Sequence, residues 1–111
     1  MTIRYKSDTF NLTTTNATAV LTCPSDATVL VKLVQATHNT ASNVDTDLIL
    51  QKSGGSDVII SHATLNKSTT NLVEEVLSLE ASDILKVQAN SANEITGVVS
   101  YALIDRSQEN G

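Results

Sequence analysis

The feature that most constrains the fold is the way apolar residues are spaced. No long segment sustains a 3.6-residue period. Short apolar runs recur instead, each broken by Asn, Asp, Ser, Gly or Pro. That spacing predicts an all-β antiparallel sandwich, jelly-roll or Greek-key in order, with about eight strands. Thr, Ser and Asn supply 36 of the 111 residues, which suits strands with hydroxyl-rich outer faces. With one Pro and four Gly, the turns fall mostly to Asn, Asp and Ser.

Along the chain, the reading places an N-terminal arm at residues 1–9, one sandwich domain at 10–105 and a polar tail at 106–111. The first runs are Phe10 to Thr15 and Ala17 to Cys23, the second closed by Pro24-Ser25-Asp26. Ala27 to Thr37 is apolar on both parities: Val29, Val31 and Leu33 on one, Leu30 and Val34 on the other, with Lys32 interrupting. Such a strand is expected at the centre of a sheet or under a partner. A polar loop at Asn39 to Asp45 precedes a strand around Leu48, Ile49 and Leu50. Ser53-Gly54-Gly55-Ser56 predicts a hairpin turn, answered by Val58, Ile59 and Ile60. Thr64 to Asn71 reads as a second loop. Asn71 to Glu80 fits two readings: a helix capped by Asn71 with Glu74 at the capping-box position, or an extended segment. Ala81-Ser82-Asp83 turns into Ile84 to Ala89, and Ser91-Ala92-Asn93 into Ile95 to Ile104. Val29, Val31, Leu33, Leu85, Val87, Val99 and Leu103 are the expected inward residues.

A net charge of −5 argues against a nucleic-acid footprint, and 3% aromatic content against stacking platforms for bases or sugars. No apolar run is long enough for a membrane helix, and no secretory leader is visible. One cysteine excludes an internal disulfide or thiolate zinc cluster. His38 and His62 read as surface histidines at strand ends. Cys23 reads as a small buried hydrophobe, since no cationic neighbour is in view to activate it. Asp45 and Asp47 share one strand face and, with Asp57, would offer oxygens to calcium. Solvated edge charges are the plainer reading. Glu74, Glu75 and Glu80 form a carboxylate group with no aromatic to hold a sugar. The triplets starting at Asn11, Asn16 and Asn66 fit the glycosylation pattern, as chance allows in this composition. No catalytic, cofactor-binding or metal residue is assigned, and a non-enzyme is expected. Arg4 and Lys6 in the arm could dock on an acidic neighbour.

Leu77-Ser78-Leu79-Glu80-Ala81-Ser82-Asp83-Ile84-Leu85-Lys86-Val87-Gln88-Ala89 resembles an element of small tailed-bacteriophage virion proteins. In those proteins a strand like Ile95 to Ile104 follows a short Ser/Ala/Asn turn. Thr13 to Cys23 with Pro24 resembles their opening strand, and Ala27 to Asn39 their long apolar strand. The resemblance spans roughly residues 10 to 105. It departs at Ser82, where the pattern has Gly, so a different turn type is expected there. It implies a β-sandwich subunit of the virion, assembled in the host cytoplasm and needing no cofactor. That subunit would be a capsid decoration (cement) protein on the major capsid protein, or a collar, tail or baseplate accessory. A homotrimer is the expected assembly, with neither nucleic acid nor membrane as partner. A carbohydrate-binding module is the reading from a different class.

Overall fold

The computed structural model describes residues 2–106 of the chain. Nine strands follow one another: β1 (Thr2–Asn11), β2 (Thr18–Thr22), β3 (Ala27–His38), β4 (Val44–Gln51), β5 (Asp57–Leu65), β6 (Ser68–Asn71), β7 (Leu77–Leu79), β8 (Ile84–Ala89) and β9 (Ile95–Asp105). One sheet runs β1-β9-β3-β6, with β7 also paired to β3, and the other runs β2-β8-β4-β5. All pairings are antiparallel. The pairs are nested: β1 with β9, β2 with β8, β3 with β6 and β7, β4 with β5. This is a hairpin of strands rolled into two facing sheets, the jelly-roll order.

The core between the sheets is aliphatic. Leu12, Val29, Val31, Val34, Leu48, Leu79, Leu85, Val87, Ile95 and Val99 are buried in it. Five of the seven expected inward residues, Val29, Val31, Leu85, Val87 and Val99, lie there. Leu103 is half-buried against the core. Leu33 is not one of the core residues, and the cause is a β-bulge. Val31 pairs with Tyr101 and Leu33 with the next residue, Ser100, so Lys32 is the extra residue of β3. A bulge reverses which parity faces inward. Before it Ala27, Val29 and Val31 are buried; after it Val34, Ala36 and His38 are. The two-parity apolar run is thus one inward face in two registers.

The same bulge divides the strand on the other edge of β3. β6 pairs with Gln35 to His38 and β7 with Val29 to Val31. Residues 72–76 form a loop between them, opposite the bulge, with Leu72 and Val73 buried and residues 74–76 exposed. Asn71 closes the gap: its Oδ1 accepts from the backbone N–H of Val34 and of Val73, both at 3.1 Å. The helical alternative for residues 71–80 is therefore replaced by strand, loop, strand. Part of the expected Thr64 to Asn71 loop is strand as well.

The segment expected as an arm is β1. It pairs with β9 from Thr2↔Asp105 to Asn11↔Thr96, yet Thr2 to Thr9 are all exposed. Phe10 to Thr15 is correspondingly the end of β1 and a loop, not a strand. The expected tail lies outside the described residues except Arg106, whose N–H donates to the Asp26 carbonyl at 2.9 Å. Gly97 is required by close approach, because a Cβ there would lie 2.1 Å from the Gln35 carbonyl oxygen and 2.3 Å from the Phe10 ring. The Gly54-Gly55 hairpin forms as expected, with Gly54 at φ 77° and Gly55 N–H donating to Lys52.

The bulge makes a quantitative distinction between neighbours. Val34→Ala is expected to cost about 2 kcal/mol in urea unfolding, and Leu33→Ala less than about 1 kcal/mol. An uninterrupted β3 parity would give the reverse order.

Candidate functional site

Two of the residues singled out in sequence are structural. Cys23 is buried, and its thiol donates to the Ala27 carbonyl at 3.3 Å. Burial, helped by the nearby Asp83 charge, pushes that thiol up, so it stays protonated. His38 ends β3 as expected but is buried, not on the surface. Its Nδ1–H donates to the Glu94 carbonyl at 3.2 Å, and Nε2 lies 3.0 Å from Ser42 Oγ. The ring joins the Thr40–Ser42 loop to the β8–β9 turn.

Asp83 carries more than its place in a turn suggested. It is buried and accepts from Lys52 Nζ at 2.5 Å, Glu80 N–H at 2.9 Å and Ser53 N–H at 3.0 Å. Burial alone would push its carboxyl up. The bonds from Lys52 and the two backbone amides outweigh that and hold it below its ordinary value. This stabilisation is present above the ordinary carboxylate range and is lost as pH falls through the lowered folded value. The carboxylate thus ties the β4–β5 hairpin to the β7–β8 turn. Only a buried aspartate beside the Ser53-Gly54 turn signals this role, and sequence shows neither the burial nor the proximity.

Ser82 carries backbone strain in the β7–β8 turn. It adopts φ 69°, the left-handed conformation that Gly takes freely. Ser82 N–H donates to the Cys23 carbonyl and Cys23 N–H to the Asp83 carbonyl, both at 2.9 Å, and these bonds hold the turn.

The remaining polar candidates gather on the outer face of the β2-β8-β4-β5 sheet. A concavity of about 520 Å³ is lined by Thr15, Asp45, Asp47, His62, Gln88 and Asn90. β4 lies between β8 and β5, so Asp45 and Asp47 are not edge charges. Each has a partner across the ladder. Asp45 accepts from Thr64 Oγ1 at 2.7 Å, and Asp47 bonds the His62 Nδ1. His62 sits within β5, which runs on to Leu65. The hydrogen bond to Asp47 raises the His62 pKa above its ordinary value. Asp57 lies at the far end of β5, paired with Lys86 at 2.9 Å. The calcium arrangement of Asp45, Asp47 and Asp57 is therefore not assembled. No cluster of three metal-ligating side chains occurs among the described residues. Glu80 approaches Lys52 at 3.4 Å, while Glu74 and Glu75 stand exposed in the 72–76 loop.

The other sheet presents a different face. A shallow depression of about 660 Å³ is lined by Thr9, Asn11, Gln35, Thr37, Thr96 and Val98, with Phe10 and Gly97 at its floor. The register sets these residues in rungs across four strands. Asn11, Thr96, Thr37 and Thr69 form one, and Thr9, Val98, Gln35 and Asn71 the next. Thr37 and Thr69 are joined through their hydroxyls at 3.0 Å. The surface is polar and uncharged. It offers hydroxyl and amide groups that both donate and accept, and it is a candidate docking face. Sequence reasoning foresaw hydroxyl-rich faces but not this one, because β1 was read as an arm.

No family model matches the chain, and neither does any curated protein.

Two outcomes follow from these geometries. In an NMR titration His62 is expected to protonate above 6.5, and Asp47→Asn to bring it back toward that value. The pair's stabilisation is present below the ordinary imidazole range and lost as pH rises through the raised value. Ser82→Gly is expected to stabilise the fold by about 1 kcal/mol in thermal or urea unfolding, by relieving the positive φ.

Proposed function

We propose that this chain is a structural subunit of a bacteriophage particle, most specifically a capsid decoration protein that docks on the assembled shell. The observation that carries the reading is the uncharged hydroxyl and amide face of the β1-β9-β3-β6 sheet. Such groups lose less on leaving water than charges do, and they can pair with backbone on a partner surface. The resemblance of residues 10 to 105 to small phage virion proteins supports the same assignment. The mechanism is mass action. A subunit that binds only the assembled shell, spanning neighbouring capsomers, adds its binding free energy to the shell's resistance to rupture.

Copy number tests this. In purified particles the chain is expected at an abundance approaching that of the major shell protein. A few copies per particle would identify a collar, tail or baseplate component instead. Absence from particles would overturn the reading and bring forward the carbohydrate-binding module.

A further inference from the structure

The two sides of the sandwich carry unlike surfaces. On one side β1 is the edge of its sheet, paired only with β9 among the described residues. Ile3 and Tyr5 are exposed on its outer face, at 51% and 75%, with Lys32 Nζ 4.7 Å from the Tyr5 ring centre. Arg4 and Lys6 project from its other face, also exposed. Three of the seven basic residues thus gather at one edge. None of the three forms an ion pair among the described residues.

On the opposite side the 72–76 loop and β5 frame a groove. Leu48, Ile60, Leu72, Val73 and Leu77 line it with Glu74 and Glu75. Val76 stands exposed beside it at 60%, and Val58 and Ile59 extend the apolar strip along β5. Neither glutamate has an ion-pair partner among the described residues. The groove holds about 210 Å³, the space of several waters at about 30 Å³ each. A side chain such as Tyr5 fits that space.

The two surfaces lie across the width of the molecule, so they cannot meet within one chain. They do lie at one height. Lys6 pairs with Tyr101, Tyr101 with Val31, and Val31 with Leu77. The basic, aromatic edge and the acidic, apolar groove are therefore opposite ends of one rung. We propose that a second copy of this chain is the groove's occupant: copies associate head to tail, the β1 edge of one seated against the Glu74–Glu75 groove of the next. Contacts between unlike surfaces make rings when successive copies rotate without rising, and filaments when they rise. Surfaces at opposite ends of one rung impose no rise between copies, and the rotation between successive copies decides between a ring and a straight row. The inference deepens the virion-subunit reading and rests on it for the expectation that copies of the chain meet.

Sedimentation velocity on the isolated full chain, over a range of concentration and salt, tests it. The expected result is concentration-dependent self-association that weakens as salt rises. Arg4→Glu with Lys6→Glu, and separately Glu74→Lys with Glu75→Lys, should each weaken association by at least about tenfold. All four substitutions together should recover most of that loss. Thermal melts on each variant separate lost association from lost folding, and exposed Tyr5→Ser provides a further variant expected to fold and to associate weakly. A monomer at every concentration, association insensitive to either charge reversal, or no recovery in the fourfold variant would each overturn the proposal. Sensitivity to only one reversal would show a patch meeting its own copy and would also overturn it. Copy number in particles is independent of all these results, so the self-contact can fail while the virion reading stands.

Discussion

β3 has to hydrogen-bond on both edges over twelve residues while burying only one face, and the remainder of the molecule is arranged around how it does so. The inserted Lys32 lets the strand bend with the sheet and exchanges the inward parity between Val31 and Val34. The partner on its free edge cannot follow that exchange continuously. It breaks into β6 and β7, and Asn71 supplies the acceptor that the gap would otherwise deny Val34. The detour thrown out by the break carries Leu72 and Val73 inward and Glu74, Glu75 and Val76 outward. An irregularity of one residue in the sheet interior thereby becomes a shaped, charged surface at the sandwich edge.

A second constraint fixes the end of the sandwich where turns crowd together. Asp83 is a carboxylate in a dry place, which is tolerable only because Lys52 and two backbone amides reach it. Ser82 beside it sits in a backbone conformation that costs energy. Three hydrogen bonds to Asp83 and the exchange with Cys23 over-determine that conformation. Tyr101 shows the same economy in the other sheet: it is mostly buried but donates its hydroxyl to Asp8 at 2.9 Å. Burial and that bond push its pKa up to about 12.

The strand content and the sandwich were legible because period-two alternation and turn chemistry are local signals. β8 and β9 show this, with Leu85, Val87, Val99 and Tyr101 inward as their alternation implied. β1 was missed because exposed residues leave no burial pattern; only the alternation of Ile3 and Tyr5 with Arg4 and Lys6 marked it. The β3 bulge was visible as apolar residues on both parities, but two-sided burial writes the same pattern. Which reading applies depends on register with β9, a contact more than sixty residues away in the chain. The same limit hid the candidate site. Thr9, Thr96, Thr37 and Thr69 look like scattered hydroxyls until the pairing sets them on a common face.

The nesting of the strands has a temporal consequence. β1 is made first, and its partner β9 lies at the far end of the domain. At about 5–20 residues per second, a ribosome needs on the order of ten seconds to deliver β9 after β1. For that interval Ile3, Tyr5 and the rest of β1 have no native partner. A β-protein closed by its most distant strands also folds slowly, in milliseconds to seconds once complete. The Arg4 and Lys6 charges within β1 thus guard a strand that must wait, opposing the pairing of nascent chains with one another before their own last strand arrives.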